Sequence, residues 1–392
     1  MFAYLKRRER GTLRPVEFQR AESTKMAYSL GLSLDKEFAH NHRGGVTSLK
    51  LEKFEQRYLL SAGADGRCHI YDLADEKPRR QIEPIASISR ADKHAFSISS
   101  VSWFPFDSGA FLTSSYDGTI RVWDTNLMQA AFVFDMEARV YCQAISPIAT
   151  HTLVASAIAG AHVRLCDLKS CTNVHSLVGH KGSVLSVSWS PRDEHTLYSG
   201  GTDGTLRVWD IRRANACLAS FDQHNNKDKL AETNRAHGRG INGLTPSSDG
   251  RFLISLGMDE KIRLWDTTTY TNMLVNYGTL WRNRFKAYMG AATSDNNDVW
   301  PPLLYVPSDD REVLVYDLMN GSLKRRLRGA YGRVTCVEKR TAFQELFSGS
   351  TDCEILAWAP IPPQRDPALL QEQADETFMD AWSSPESSEG EE

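Results

Sequence analysis

Residues 180–210 read "HKGSVLSVSWSPRDEHTLYSGGTDGTLRVWD". Within "SVLSVSW", Leu185, Val187 and Trp189 share one face of an extended chain and Ser186 and Ser188 the other, because side chains alternate along a strand. The turn "TDG" follows, where Gly204 supplies the positive φ that a tight hairpin needs. The stretch predicts a small antiparallel sheet that begins near His180 and delivers a strand ending in Trp209–Asp210.

The same unit recurs along the chain. Its terminal Asp stands at Asp72, Asp124, Asp167, Asp210, Asp266 and Asp317, and "LAWAP" ends a seventh unit with Ala359 in that place. The intervals are 52, 43, 43, 56, 51 and 42 residues, a period that marks stacked or radial repeats. A second Asp precedes the terminal position by seven residues at Asp65, Asp117, Asp203, Asp259, Asp310 and Asp352; the third unit has Gly160 there. A His lies 22 or 23 residues upstream of that Asp at His42, His94, His180 and His237, with Tyr331 as the nearest equivalent in the seventh unit. Seven such sheets closed around an axis predict an all-β, seven-bladed β-propeller over residues 38–361.

His180, Ser199, Asp203 and Trp209 form the polar set of the fourth unit. A Ser/His/Asp trio invites a hydrolase reading, but an enzyme needs one site, whereas buried polar groups need partners in every blade. The set therefore reads as architecture. "GRGING" at Gly238–Gly243 has the glycine spacing of a dinucleotide loop, yet Pro246 and Gly250 follow where the phosphate-binding helix would have to run. No Walker loop and no H-E-x-x-H is present.

The chain carries 46 Lys+Arg against 49 Asp+Glu, a net charge of −3, which speaks against a whole-protein footprint for nucleic acid. Little or no direct DNA binding is expected of the chain alone. Seven cysteines, none in a C-x-x-C pair, suggest neither a disulfide framework nor a zinc knuckle. The start "MFAYLKRRERG" lacks the apolar core of a signal peptide and no run of eighteen apolar residues occurs, so a soluble intracellular protein with no membrane contact and no cofactor is expected.

Two segments flank the repeats. Residues 1–37 are expected to form a helix-loop-helix arm, with Ser23 or Ser33 as caps and Gly31 between two short helical patterns. Residues 362–392 carry nine acidic groups and no basic one from Asp366 onward, the composition of a disordered tail. Between the fifth and sixth units, "WRNRFKAYMGAATSDNNDVWPP" interleaves Trp281, Phe285 and Tyr288 with Arg282, Arg284 and Lys286. That mixture suits either strand packing or a stacking surface, and its second half suits a partner-binding loop.

"FQRAESTKMAYSLGLSLDK" (18–36), "SWFPFDSGAFLTSSYDGTIRVWDTN" (102–126), "WDIRRANACLASFDQHN" (209–225), "AFQELFSGS" (342–350) and "FMDAWSS" (378–384) resemble the Cockayne syndrome group A family of WD-repeat proteins. The resemblance implies a non-catalytic, nuclear substrate receptor of a cullin-four RING ubiquitin ligase. Such a receptor hangs on the large subunit of the damage-specific DNA-binding protein. It acts in transcription-coupled nucleotide excision repair with the Cockayne syndrome B remodeller and stalled RNA polymerase II. Family receptors insert an N-terminal helix-loop-helix into the adaptor. The matching segment is Arg20 to Asp35, with Met26, Leu30, Leu32 and Leu34 as implied apolar anchors. They also use a W-D-x-R box, matched by Trp209, Asp210 and Arg212; the preceding unit departs from it with Cys166, Asp167 and Lys169. A WD-repeat scaffold in chromatin or RNA processing, without a ligase, is the competing expectation.

Overall fold

The computed structural model of the chain describes residues 6, 8–11, 14–74, 81–148, 150–213 and 216–361. The acidic tail expected over 362–392 lies outside them. Seven antiparallel sheets follow one another in sequence, and the first strand of each packs beside its neighbours around a central axis. This is the predicted all-β, seven-bladed propeller. The fourth blade shows the build: Val184–Trp189, Thr196–Gly201, Leu206–Asp210 and Cys217–Phe221 pair in that order.

Both faces of the inner strands are covered, because each blade packs on two others. Leu185, Val187 and Trp189 are buried, and so is Ser186 on the opposite face, whose hydroxyl donates to the Ile241 carbonyl of the next blade at 3.1 Å. Serine suits that face because a small polar side chain fills the narrow gap near the axis and finds a backbone acceptor. Gly204 adopts φ +74°, and a Cβ there would meet the His237 carbonyl oxygen at 2.3 Å. The turn is thus fixed to glycine by conformation and by contact with the neighbouring blade.

The seventh blade corrects the expected boundary at residue 38. Its C-terminal part supplies three strands, Val334–Arg340, Glu345–Ser350 and Ile355–Pro360, and the fourth comes from Leu30–Phe38. Leu30 lies opposite Pro360 and Leu32 opposite Trp358 in that antiparallel pair. The predicted second helix of the arm is therefore a strand. In "LGLSL" the apolar residues recur with period two, and Gly31 and Ser33 are weak helix formers. An open edge in the last blade rewards the extended form further, because it satisfies the backbone groups of Ile355–Pro360. Gln81–Ile82 then adds in parallel to Glu37–Phe38.

A helix, α1, spans Pro15–Tyr28, with Pro15 at its first turn and the Ser29 amide bonded to the Lys25 and Met26 carbonyls at its end. Among the described residues, no helix is long and apolar enough to cross a membrane. The chain direction assigns loops to two faces. First strands begin, and second strands end, on what is here termed the upper face; third strands end on the lower face. Since Leu30 sits opposite Pro360, the last residue of a third strand, α1 lies on the lower face. Arg212, just past the third strand of the fourth blade, lies on that face too.

Candidate functional site

Asp210 closes its strand almost fully buried, and its carboxylate organises the turn that follows. Oδ1 accepts the Arg212 amide and the Arg212 Nε–H, both at 3.0 Å, while Oδ2 accepts from Nη2 at 3.0 Å. Arg213 Nε stands 3.4 Å from Oδ2. The hydrogen bond from the Arg212 side chain, despite opposing desolvation, holds the Asp210 carboxyl below the usual range. Other blades also use the terminal Asp to cap the turn. Asp124 takes the amides of Asn126 and Leu127, and Asp266 those of Thr268 and Thr269. In the third blade Asp167 accepts the amides of Lys169 and Ser170, and Lys169 is exposed with no acidic partner among the described residues.

Arg212 is thus a guanidinium fixed in orientation while 59% of its side chain stays exposed. Two of its N–H groups are spent on Asp210, leaving about three donors free of the five that Arg carries. Beside it a groove lined by His175, Leu177, Val178, Trp209, Ile211 and Ala216 runs between the outer edges of the third and fourth blades. A planar fork of donors next to a groove of mixed polar and apolar lining suits carbonyl or carboxylate groups of a protein partner. One further guanidinium was not foreseen: Arg57 grips Asp72 at 2.9 and 2.6 Å across strands of the first blade. Its signal in the sequence is an Arg placed just before the second strand, in "QRYLL", rather than after the Asp.

The expected adaptor residues of the arm divide. Met26, on α1, is 43% exposed. Leu30 is 1% exposed and packs with Ala27, Val299, Leu303 and Trp358, so it belongs to the core and reaches no partner. Leu32 lies on the closing strand with 40% exposure, and Leu34 lies on the same strand. Leu30 and Leu32 lie on the same face of the strand, so the split follows from what covers each: Ala27, Val299 and Leu303 enclose Leu30, while Leu32 stays exposed.

The 281–302 extension divides as well. Trp281 is buried, its Nε1–H donating to the Pro307 carbonyl at 2.9 Å. In the second half, Asn297 O accepts from Arg20 Nε at 3.1 Å and the Trp300 amide donates to Thr24 Oγ1 at 3.1 Å. Arg325 donates to the Tyr28 carbonyl. The loop expected to present a partner surface is therefore the seat of α1.

The polar set of the fourth blade closes as one network. His180 Nε2 bonds Ser199 Oγ at 2.7 Å, Trp209 Nε1–H donates to the same oxygen at 2.7 Å, and His180 Nδ1 faces Asp203 at 3.3 Å. Ser199 is fully buried, so no substrate reaches its hydroxyl. The arrangement repeats as His94, Thr113, Asp117 and Trp123 in the second blade and as His237, Ser255, Asp259 and Trp265 in the fifth. In the first blade His42, Ser61 and Asp65 keep the pattern with Tyr71 in the Trp place. A model of the family described as "WD domain, G-beta repeat" matches residues 34–72, 85–124, 171–210 and 228–266. The chain is also 32% identical to the WD repeat-containing protein ATCSA-1 of Arabidopsis thaliana, over 98% of this chain and 100% of that one. The chain belongs to the WD-repeat family.

The four WD repeats that match are the blades holding a His–Asp pair; the other three close the ring without it. The third blade has Cys166 and Gly160, the sixth has Tyr316, and the seventh keeps Trp358 on Ser348 at 2.9 Å while Tyr331 stands 80% exposed. Two more relatives share less. Radiation-sensitive protein 28 of Saccharomyces cerevisiae is 24% identical over 72% of this chain and 61% of its own. The E3 ubiquitin-protein ligase COP1 of Pisum sativum is 26% identical over 47% of this chain and 26% of its own.

Proposed function

We propose that this WD-repeat protein is a non-catalytic substrate receptor of a cullin-four RING ubiquitin ligase, docked on the large subunit of the damage-specific DNA-binding protein. The observation that carries the reading is the shared face: α1 and the Arg212 fork, nearly two hundred residues apart in sequence, both stand on the lower face. A partner seated there meets an exposed helix bearing Val16 and Met26 and, three blades away around the ring, an oriented guanidinium. Similarity over the full length to ATCSA-1, and partial similarity to a ubiquitin ligase, support the same reading. Within it, the receptor serves transcription-coupled nucleotide excision repair in the nucleus, holding the Cockayne syndrome B remodeller and stalled RNA polymerase II near the ligase. Its contribution to transfer is proximity.

The test removes residues 1–28, which keeps the closing strand, and separately combines Arg212→Glu with Met26→Asp. Both variants are expected to stay folded and to lose the adaptor and cullin in pull-downs from nuclear extract. Undiminished adaptor capture by both would overturn the reading and leave a WD-repeat scaffold without a ligase.

A further inference from the structure

The upper face gathers cations and aromatic rings that neither the WD repeat nor the lower-face site explains. Tyr116 follows the second strand of the second blade, and Arg139 precedes the first strand of the third, which carries Tyr141. Phe285 and Lys286 come from the extension before the sixth blade, and Arg333 precedes the first strand of the seventh. Four separate loops thus converge. The Tyr116 and Tyr141 rings meet edge to face at 5.8 Å, Lys286 Nζ stands 5.1 Å from the Tyr141 centroid, and the Arg333 guanidinium lies 4.1 Å from that of Phe285. Arg139 and Arg333 both act electrostatically on the Tyr116 hydroxyl, which places the three basic residues about one patch.

Of the neighbouring carboxylates, two are engaged outside the patch and one, Asp309, faces Arg333 within it. Glu260 is held by Arg282 and Arg284 at 2.6 and 3.1 Å, and Glu137 by Arg164 at 3.3 Å. Asp309 accepts the Arg284 amide and lies 3.7 Å from Arg333. Among the described residues, Arg139 and Lys286 have no acidic partner, and both are exposed. We infer that this patch is a docking site for an acidic peptide segment of a partner protein. Single-stranded nucleic acid fits less well, since it needs a positively charged groove that tracks the backbone, whereas here three cations, one of them facing Asp309, stand in a chain of net charge −3. Here Lys286 covers a face of Tyr141 and Arg333 a face of Phe285. Those cation–π contacts fix the cations in place while leaving their charge for carboxylates. The site goes beyond the adaptor reading and sits on the opposite face from it.

The experiment measures fluorescence anisotropy of the full chain with a labelled peptide of alternating Glu and Ala, against a Lys–Ala peptide and an oligothymidylate. The acidic peptide is expected to bind most tightly, to weaken with salt, and to lose about tenfold or more when Arg139→Glu and Lys286→Glu are combined. The same variant is expected to keep its melting temperature and its adaptor capture, which separates this site from the lower-face one. Absence of peptide binding, unchanged binding by the double variant, or tighter binding of the oligothymidylate would each overturn the inference.

Discussion

Leu30 lies opposite Pro360 in the antiparallel pair that completes the seventh blade. The first ordered strand of the chain and the last are thereby one structural unit, and the ring is closed by hydrogen bonds between its ends. Truncation through residue 38 is expected to leave an open blade and an aggregating product, whereas truncation through residue 28 is expected to fold. Leu30→Ala, which empties a fully packed position, is expected to cost about 2–5 kcal/mol and to lower the melting temperature. Met26→Ala is expected to leave it unchanged.

Arg212 and Asp210 separate stability from binding. Arg212→Ala leaves the nearly buried Asp210 carboxylate without two of its hydrogen bonds, so a small drop in melting temperature is expected while the folded protein loses adaptor capture. Arg212→Lys is expected to fail as a rescue, since an ammonium cannot grip Asp210 at two points and still present a planar set of donors. Surface-immobilised adaptor with the purified variants gives the comparison directly; rescue by Lys would count against the fork.

Ser199 bridges His180 and Trp209, so its removal leaves the Trp209 N–H and His180 Nε2 without their buried partner at once. Ser199→Ala is expected to cost about 1–3 kcal/mol, read as a lower urea midpoint with unchanged slope. Adaptor capture by the folded fraction is expected to persist, as befits an architectural role.

Acid is expected to unfold the propeller in two stages. Burial pushes His69 down to about 4, with His42 adding to the effect, and burial also lowers His94 and His237 although their Asp partners oppose it. For Asp65, burial acts to raise the carboxyl but is outweighed by the His42 hydrogen bond and the amides of Arg43 and Arg67, which hold it at about 2. Asp117, Asp203 and Asp259 lie lower for the same reasons. All these groups are depressed in the fold, so the unfolded chain takes up protons first and stability drops as pH falls. The first loss is expected from about pH 6.5, the ordinary His value, down to about 4, and the second from about 4 to 2. His69→Asn is expected to flatten part of the first stage; a urea midpoint that stays constant from neutral pH to pH 5 would contradict the scheme.

Thiol reactivity is expected to follow burial. Cys171 is exposed, while burial pushes Cys142 up to about 11 and Cys166 and Cys336 up to about 12. Alkylation of the native protein is therefore expected to mark Cys171 first, and Cys68, Cys142, Cys166 and Cys336 only after denaturation, as mapped by peptide mass spectrometry.

The sequence by itself determined the blade: the interval between terminal Asp residues, the alternation in "SVLSVSW" and the His–Ser–Asp–Trp set are local patterns, and the blades that carry them realise them locally. It also determined that Arg212 differs from its counterparts, because Asn126 and Thr268 stand in the same place. What it did not determine was the fate of Leu30–Leu34. Period two and a broken helical pattern are hard to tell apart over five residues, and the edge strand that decides between them arrives more than three hundred residues later. Only the closed ring gives that edge. The same closure seats α1 on the 294–302 loop, brings the helix and Arg212 to one face, and collects Tyr116, Arg139, Lys286 and Arg333 on the other. These are relations between residues far apart in the chain, set by which strands pair and in what direction, and no local pattern encodes them.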